Sequence, residues 1–266
     1  MSRRHLPGKR VIHLDFAVQT HVGMKRRVNE DHTSIFTKEN GRILLAIVAD
    51  GMGGHKGGDT ASRMAVEGMM REFGKTDAGS LATHEGRAAW LTGATETLNR
   101  ELYEYSRQNE ECRGMGTTLE AAIVARGEVT VCHLGDSRTY LIRRDGATQL
   151  TKDHSLVNIL LENGEITEEE AVQHPKRNVI MKALGTDAEA EPDIIPVELG
   201  HGTALLLCSD GLSNKLSGDE IADTVLADGS AGERADLLIA SANERGGEDN
   251  ISVILIDNEV REGDGR

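Results

Sequence analysis

The chain has 266 residues, of which 38% are hydrophobic and 28% charged, enough to build one globular unit with a sizeable core. Its formal net charge of -14 argues against a nucleic-acid or membrane-surface partner, since both attract basic surface. No apolar run approaches the roughly 20 residues of a membrane-spanning helix, residues 1–10 lack the apolar stretch of a secretory signal, and the 3 cysteines show no CxxC pair, which fits a reducing cytoplasm.

In chain order, residues 11–19 and 33–37 form weak strand candidates, and residues 43–50 a strong one. A helix follows over 60–73, with Ala61, Met64, Ala65 and Met69 at helical spacing. A second helix covers 85–108, carrying Leu91, Ala94, Leu98, Leu102 and Tyr105 on one stripe. Strands are predicted over 119–125, 129–134 and 139–143, the first two forming a hairpin that turns at Arg126-Gly127. Residues 152–178 are polar, with a short helix after the Thr167-x-x-Glu170 box. A strand over 204–208, two helices opened by Ser217-x-x-Glu220 and Ser230-x-x-Glu233, and a last strand over 251–256 complete the order. The second of those helices is expected to stop near Gly246-Gly247, and 258–266 to form a tail. Hairpin spacing makes the strands mostly antiparallel. Two packed sheets with helices outside is the economical layer solution, although periodicity alone leaves other α/β arrangements open.

The chemistry sits at strand ends. Asp50-Gly51 closes one apolar run, Asp136 a second and Asp210-Gly211 a third, and Asp249-Asn250 stands just before the last strand. One Asp-Gly alone is a turn signal. Several acids gathered at rigid strand ends repel one another unless a cation lies among them. Carboxylate and carbonyl oxygens suit hard cations such as Mg²⁺ or Mn²⁺. No HExxH motif or EF-hand loop occurs among the chain's acids and 10 histidines. The glycine-rich stretch 51–58 is neither a Walker P-loop, for want of Gly-Lys followed by Ser or Thr, nor a good GxGxxG. Its glycines serve close backbone approach instead. Arg26 precedes the acids, and an arginine can grip a phosphate with two parallel hydrogen bonds.

Arg26-x-x-Asn29-Glu30-Asp31, Ala49-Asp50-Gly51-Met52-Gly53-Gly54, Gly116-Thr117-Thr118, Gly135-Asp136-Ser137-Arg138, Ser209-Asp210-Gly211 and Asp249-Asn250 together resemble, in order, the motif set of the type 2C-like (PPM) metal-dependent protein serine/threonine phosphatases, bacterial branch. The resemblance spans roughly residues 20–256. It implies an α+β fold: a four-layer α-β-β-α sandwich of two central antiparallel sheets flanked by helix pairs. One catalytic domain would have its core at about 12–257 and a flap at about 152–178 beside the active site.

The resemblance also implies two core Mn²⁺ or Mg²⁺ ions and a third, weaker one. Asp50 would bridge both core metals, Gly51 would give its carbonyl to one, and Asp210 and Asp249 would bind the other. Glu30 would act through water, Asp136 with Asp210 would hold the third ion, and Arg26 would bind phosphate. The implied activity is hydrolysis of phosphoserine and phosphothreonine on proteins by a metal-activated water, opposing bacterial Ser/Thr kinases in signal transduction. A monomer is expected, acting in the cytoplasm on a kinase or its substrates. Two departures stand out: Met52 lies where animal members carry a histidine proposed as general acid, and Asn214 where an Asp is frequent. His55 receives no role. The alternatives are a hydrolase of small phosphate esters, a non-catalytic phosphoprotein-binding module, and a stress-regulator phosphatase acting on an anti-sigma antagonist.

Overall fold

The computed structural model describes residues 14–53 and 56–258. His55, Gly54, the tail beyond residue 258 and the first part of the predicted strand over 11–19 lie outside them. The described elements run β1 (Asp15–His21), β2 (Asp31–Lys38), β3 (Ile43–Met52), α1 (Gly57–Lys75), α2 (His84–Gln108), β4 (Gly116–Thr117), β5 (Leu119–Ala125), β6 (Glu128–Leu134), β7 (Arg138–Arg143), β8 (Gly146–Gln149), α3 (Leu156–Glu162) and α4 (Glu168–Gln173). They continue with β9 (Asp193–Glu198), β10 (Ala204–Cys208), α5 (Asp210–Ser213), α6 (Gly218–Val225), α7 (Ala231–Glu244) and β11 (Ile251–Asp257).

The strands form two antiparallel sheets, ordered β1-β11-β10-β7-β8 and β2-β3-β5-β6-β9, with β4 pairing with the end of β3 and bridging through Thr117 to Leu184. Strand β3 shows why they stack. Leu44, Ala46 and Val48 face the second sheet, packing with Leu205, Leu207, Ile254 and Ile256. Leu45, Ile47 and Ala49 face the opposite way, toward Met69 and Phe73 of α1 and Leu98 of α2. The strand is covered on both faces, so it reads as an unbroken apolar run rather than an alternating one. The other sheet repeats the arrangement, with Leu206, Val253 and Leu255 against Ile221 of α6 and Leu238 of α7. The result is the four-layer α-β-β-α sandwich.

The local signals hold where they are chemically strong. All three predicted capping boxes are formed, at Thr167/Glu170, Ser217/Glu220 and Ser230/Glu233. The β5–β6 hairpin turns at Arg126 (φ 57°) and Gly127 (φ 84°), a left-handed pair that matches strand twist. Strands β4, β8 and β9 escape sequence reading. Strand β8 is a short sheet edge. Strand β9 is an edge that carries Pro196, and proline signals against a strand although an edge tolerates it. Helix α3 also escapes: it is only 7 residues, LVNILLE, a short apolar run whose periodicity does not declare a helix, and none of it is buried.

Candidate metal centre

Antiparallel pairing places the ends of β3, β6 and β10 and the beginnings of β2, β7 and β11 at one end of the sandwich. Every predicted acid is attached there. Asp50 lies near the end of β3, Asp136 in the β6–β7 turn, Asp210 at the first residue of α5 just after β10, and Asp249 two residues before β11.

Backbone clamps fix these positions. The Asp50 amide donates to Thr118 Oγ1 (2.9 Å), while the Thr118 amide and the Thr117 hydroxyl both donate to the Asp50 carbonyl. Thr118 Oγ1 also meets Ser137 Oγ at 2.8 Å, tying the Gly116-Thr117-Thr118 motif to the Asp136 turn. Asn250 ties down the loop before β2: its side chain donates to the carbonyls of Val22 and Val28 and accepts from the Glu30 amide. Gly51 has to be glycine, because a Cβ there would lie 2.1 Å from the Gly58 carbonyl oxygen. In turn, a Cβ on Gly58 would lie 2.8 Å from both Glu30 Oε1 and the Gly51 carbonyl oxygen. The two predicted oxygen donors therefore converge on one bare backbone position.

The structure adds an acid that sequence reasoning quoted but gave no role. Asp31 is the register partner of Asp50 across β2–β3 and is buried. Ser209 donates to its Oδ2 at 2.8 Å, while its Oδ1 has no partner. The signal was the motif itself: the acid that opens β2 must fall beside the acid that closes β3 once the two strands pair.

Electrostatics follow from this crowding. Burial first, then the charges of Asp31 and Asp210, push the Asp50 carboxyl well above its ordinary range. Burial is also the main cause for Asp31 and Asp136, each raised to about 7, and for Asp210, raised to about 6 with Asp249 adding to it. Cationic relief is scant. Arg26 donates to Asp249 Oδ2 at 2.7 Å from a half-exposed position. Arg138 grips Asp153 through two bonds of 2.9 and 2.7 Å rather than neutralising Asp136 two residues earlier. Asn214 donates to Asp210 Oδ2 at 3.0 Å, an amide donor where an aspartate would add a like charge.

Among the described residues no group of three or more histidine, cysteine or acidic side chains is arranged so that it could hold a metal ion as it stands. Asp136, Asp210 and Asp249 line a cleft of about 650 Å³, together with Asn158, Leu161 and Val172 of the 152–178 segment. Asp31 Oδ1 and Asp210 Oδ1 are buried without a hydrogen-bond partner, and such atoms are costly unless something answers them. Every donor here is an oxygen, which fits a hard divalent cation.

The family model described as Protein phosphatase 2C matches residues 20–237. The chain is 41% identical over 249 residues to the serine/threonine phosphatase stp of Listeria monocytogenes, covering 94% of this chain and 97% of that protein. The serine/threonine phosphatase of S. agalactiae superposes with a TM-score of 0.87 at 37% identity, over 92% of this chain and 99% of that one. The catalytic domain of the protein phosphatase PstP, solved with 2 manganese ions, superposes with a TM-score of 0.78 at 35% identity, over 92% of this chain and 97% of that one.

Proposed function

The chain belongs to the protein phosphatase 2C family, and from that premise we propose how its own residues carry out metal-dependent hydrolysis of phosphoserine and phosphothreonine on proteins. The observation that carries the reading is the set of raised, crowded carboxyls at the cleft, two of them with an orphaned oxygen. Asp50, the Gly51 carbonyl, Asp210 and Asp249 would hold two Mn²⁺ or Mg²⁺ ions, with Glu30 acting through water and Asp31 supporting Asp50. Asp136 with Asp210 would hold a third, weaker ion. When bound, the ions lower the pKa of water and offset charge on the phosphoryl oxygens.

The chain's residues do the rest. Arg26, anchored by one nitrogen on Asp249, presents its remaining N–H groups to the phosphoryl oxygens. Thr117 and Thr118 keep the Asp50 backbone from moving as charge builds. A phosphocysteine intermediate is disfavoured, because burial pushes the Cys132 thiol up to about 12 and raises Cys208 as well. Met52 has no proton to give, and water in the cleft would be the simplest donor to the departing serine or threonine oxygen.

The same reading treats residues 12–257 as one catalytic domain, acting as a monomer in the cytoplasm on a Ser/Thr kinase or its substrates in signal transduction. All 3 cysteines are free and buried, which suits a reducing compartment. Among the described residues no helix is long and apolar enough to cross a membrane. The deciding experiment measures phosphate release from a phosphothreonine peptide with Mn²⁺ and with excess chelator. Turnover only with Mn²⁺ is expected. Full activity in chelator would remove the metal from the reading, and strong preference for small phosphorylated metabolites would make the enzyme an ester hydrolase of another substrate class.

A further inference from the structure

Below the Asp136 turn lies a polar cluster that the chemistry above does not use. Glu120 on β5 and His133 on β6 face each other across the strand pair, both with fully buried side chains. His133 Nδ1 lies 2.6 Å from Glu120 Oε2, and His133 Nε2 lies 2.9 Å from the Lys152 carbonyl. A carbonyl can only accept, so Nε2 carries a hydrogen. The pair then shares one further proton along the short Nδ1–Oε2 bond and stays neutral overall. Thr139 Oγ1 donates to the other Glu120 oxygen, so the carboxyl is answered on both sides.

A second histidine stacks on the first. The rings of His133 and His154 lie 4.6 Å apart at a tilt of 33°. The Gly135 amide donates to His154 Nδ1 at 3.2 Å, so that nitrogen is unprotonated. The hydrogen therefore sits on Nε2, facing Asp193 Oδ2 at 3.3 Å. The His154 amide donates back to the Gly135 carbonyl at 2.7 Å. Burial, with the charge of His133 beside it, lowers the His154 pKa and favours the neutral ring.

These bonds join two parts that line the same cleft, the Asp136 turn and the 152–178 segment. Gly135 immediately precedes Asp136. Lys152 to Ser155 form the root of the flap, whose two stems are held together by Leu156 N–H to the Val179 carbonyl (2.9 Å) and Met181 N–H to the His154 carbonyl (2.7 Å). Beyond these stems α3 and α4 stand over the cleft, with few anchors of their own: α3 has no buried residue and α4 only Ala171.

We propose that Glu120, His133 and His154 are positioning residues that clasp the flap root to the Asp136 turn and so set the flap over the cleft for phosphoprotein binding. The substrate part rests on the phosphatase reading; the clasp itself does not. Replacing a buried pair by apolar residues of similar size preserves folding better than breaking it, so the first variant is the double change Glu120→Leu with His133→Leu. The second is His154→Leu, which removes no buried charge. His154→Asn is the rescue, since its side-chain oxygen can again accept from the Gly135 amide.

Hydrogen exchange on the full chain reads the clasp directly. In both leucine variants the Leu156 and Met181 amides should exchange at least ~10-fold faster while Leu45 and Ile123 in the sheet keep their protection. With Mn²⁺ present, KM for a phosphothreonine peptide should rise about 10-fold while kcat and KM for para-nitrophenyl phosphate hold, and His154→Asn should recover most of the loss. Wild-type exchange at Leu156 and Met181 in folded variants overturns the proposal, as does an equal rise in KM for both substrates. Faster exchange in the variants of a chain that dephosphorylates no peptide supports the clasp and sinks the phosphatase reading alone.

Discussion

At the end of the sandwich away from the cleft, two buried arginines are answered by acids and carbonyls, one of the acids buried and the other exposed. Arg234 donates to Asp257 and to the carbonyls of Val225 and Ser230. Arg87, with a fully buried side chain, donates to Glu128, to Thr130 Oγ1 and to the Leu81 carbonyl. At the cleft end the same strands deliver Asp31, Asp50, Asp136 and Asp210 to one place with no buried arginine among them. Strand β11 spans both situations, with Asp249 just before its first residue and Asp257 as its last. The difference is one of cation supply. The far end carries its own positive charge; on the reading proposed above, the cleft end would take that charge from solution.

The largest expected effect breaks the far end. Arg234→Ala should lower stability by about 3–5 kcal/mol, because it leaves Asp257 buried and unpaired. Denaturant unfolding reads the loss, and turnover per folded molecule should stay at the wild-type level. If turnover fell in step with stability, the two ends would not be separable. Next comes Asp210→Asn, expected to cut turnover of a phosphothreonine peptide by at least ~100-fold while leaving the fold intact. A variant that kept a tenth or more of its kcat at saturating Mn²⁺ would take Asp210 out of the core ligand set.

The comparison also predicts an inverted pH response. In the folded chain burial raises Asp31 and Asp136 to about 7 and Asp210 to about 6, and lifts Asp50 well above its ordinary range, against 3.8 for an ordinary aspartate. Between those values the folded state holds protons that the unfolded state has released. Their contribution to stability is therefore full below 3.8 and is lost as pH rises through about 7. Chelator-treated protein should accordingly melt at lower temperature as pH climbs through this window. Adding Mn²⁺ at the upper end should restore the melting temperature, and the double change Asp136→Asn with Asp210→Asn should reduce the slope to the part that Asp31 and Asp50 supply. A slope that is the same in the double variant would place the proton uptake elsewhere.

Much of this was legible in the sequence because the signals were local. Strand β3 is apolar on both faces, and Ser230/Glu233 states a helix start within four residues. Asp50 and Asp210 were legible for the same reason, each following an apolar run directly. What was hidden depends on long-range pairing. Asp31 gains its meaning only from the β2–β3 register that sets it beside Asp50. Arg138 could equally have neutralised Asp136, and only the return of the chain at Asp153 shows where its charge goes. Glu120 and His133 lie within strands and look like interruptions until β5 and β6 pair.

The smallest expected effect sharpens the comparison at a single side chain. Asn214 sits at the end of α5 and donates to Asp210 Oδ2, giving the crowded acids one neutral partner. Asn214→Asp would remove that donor from the metal-free chain and raise the cost of keeping Asp210 ionised. The new carboxylate would also offer a hard oxygen to a cation shared by Asp136 and Asp210. Both changes push the same way, toward binding, while the exposed position of residue 214 keeps the gain modest through solvent screening. The high-concentration part of the Mn²⁺ activation curve should therefore shift a few-fold toward lower Mn²⁺, leaving the tight part and the KM for peptide where they were. A shift of the tight part instead would mean that residue 214 touches the core ions. No shift in either part would mean that Asp136 and Asp210 do not share a cation, and that the Asn214 hydrogen bond serves the turn after α5 alone.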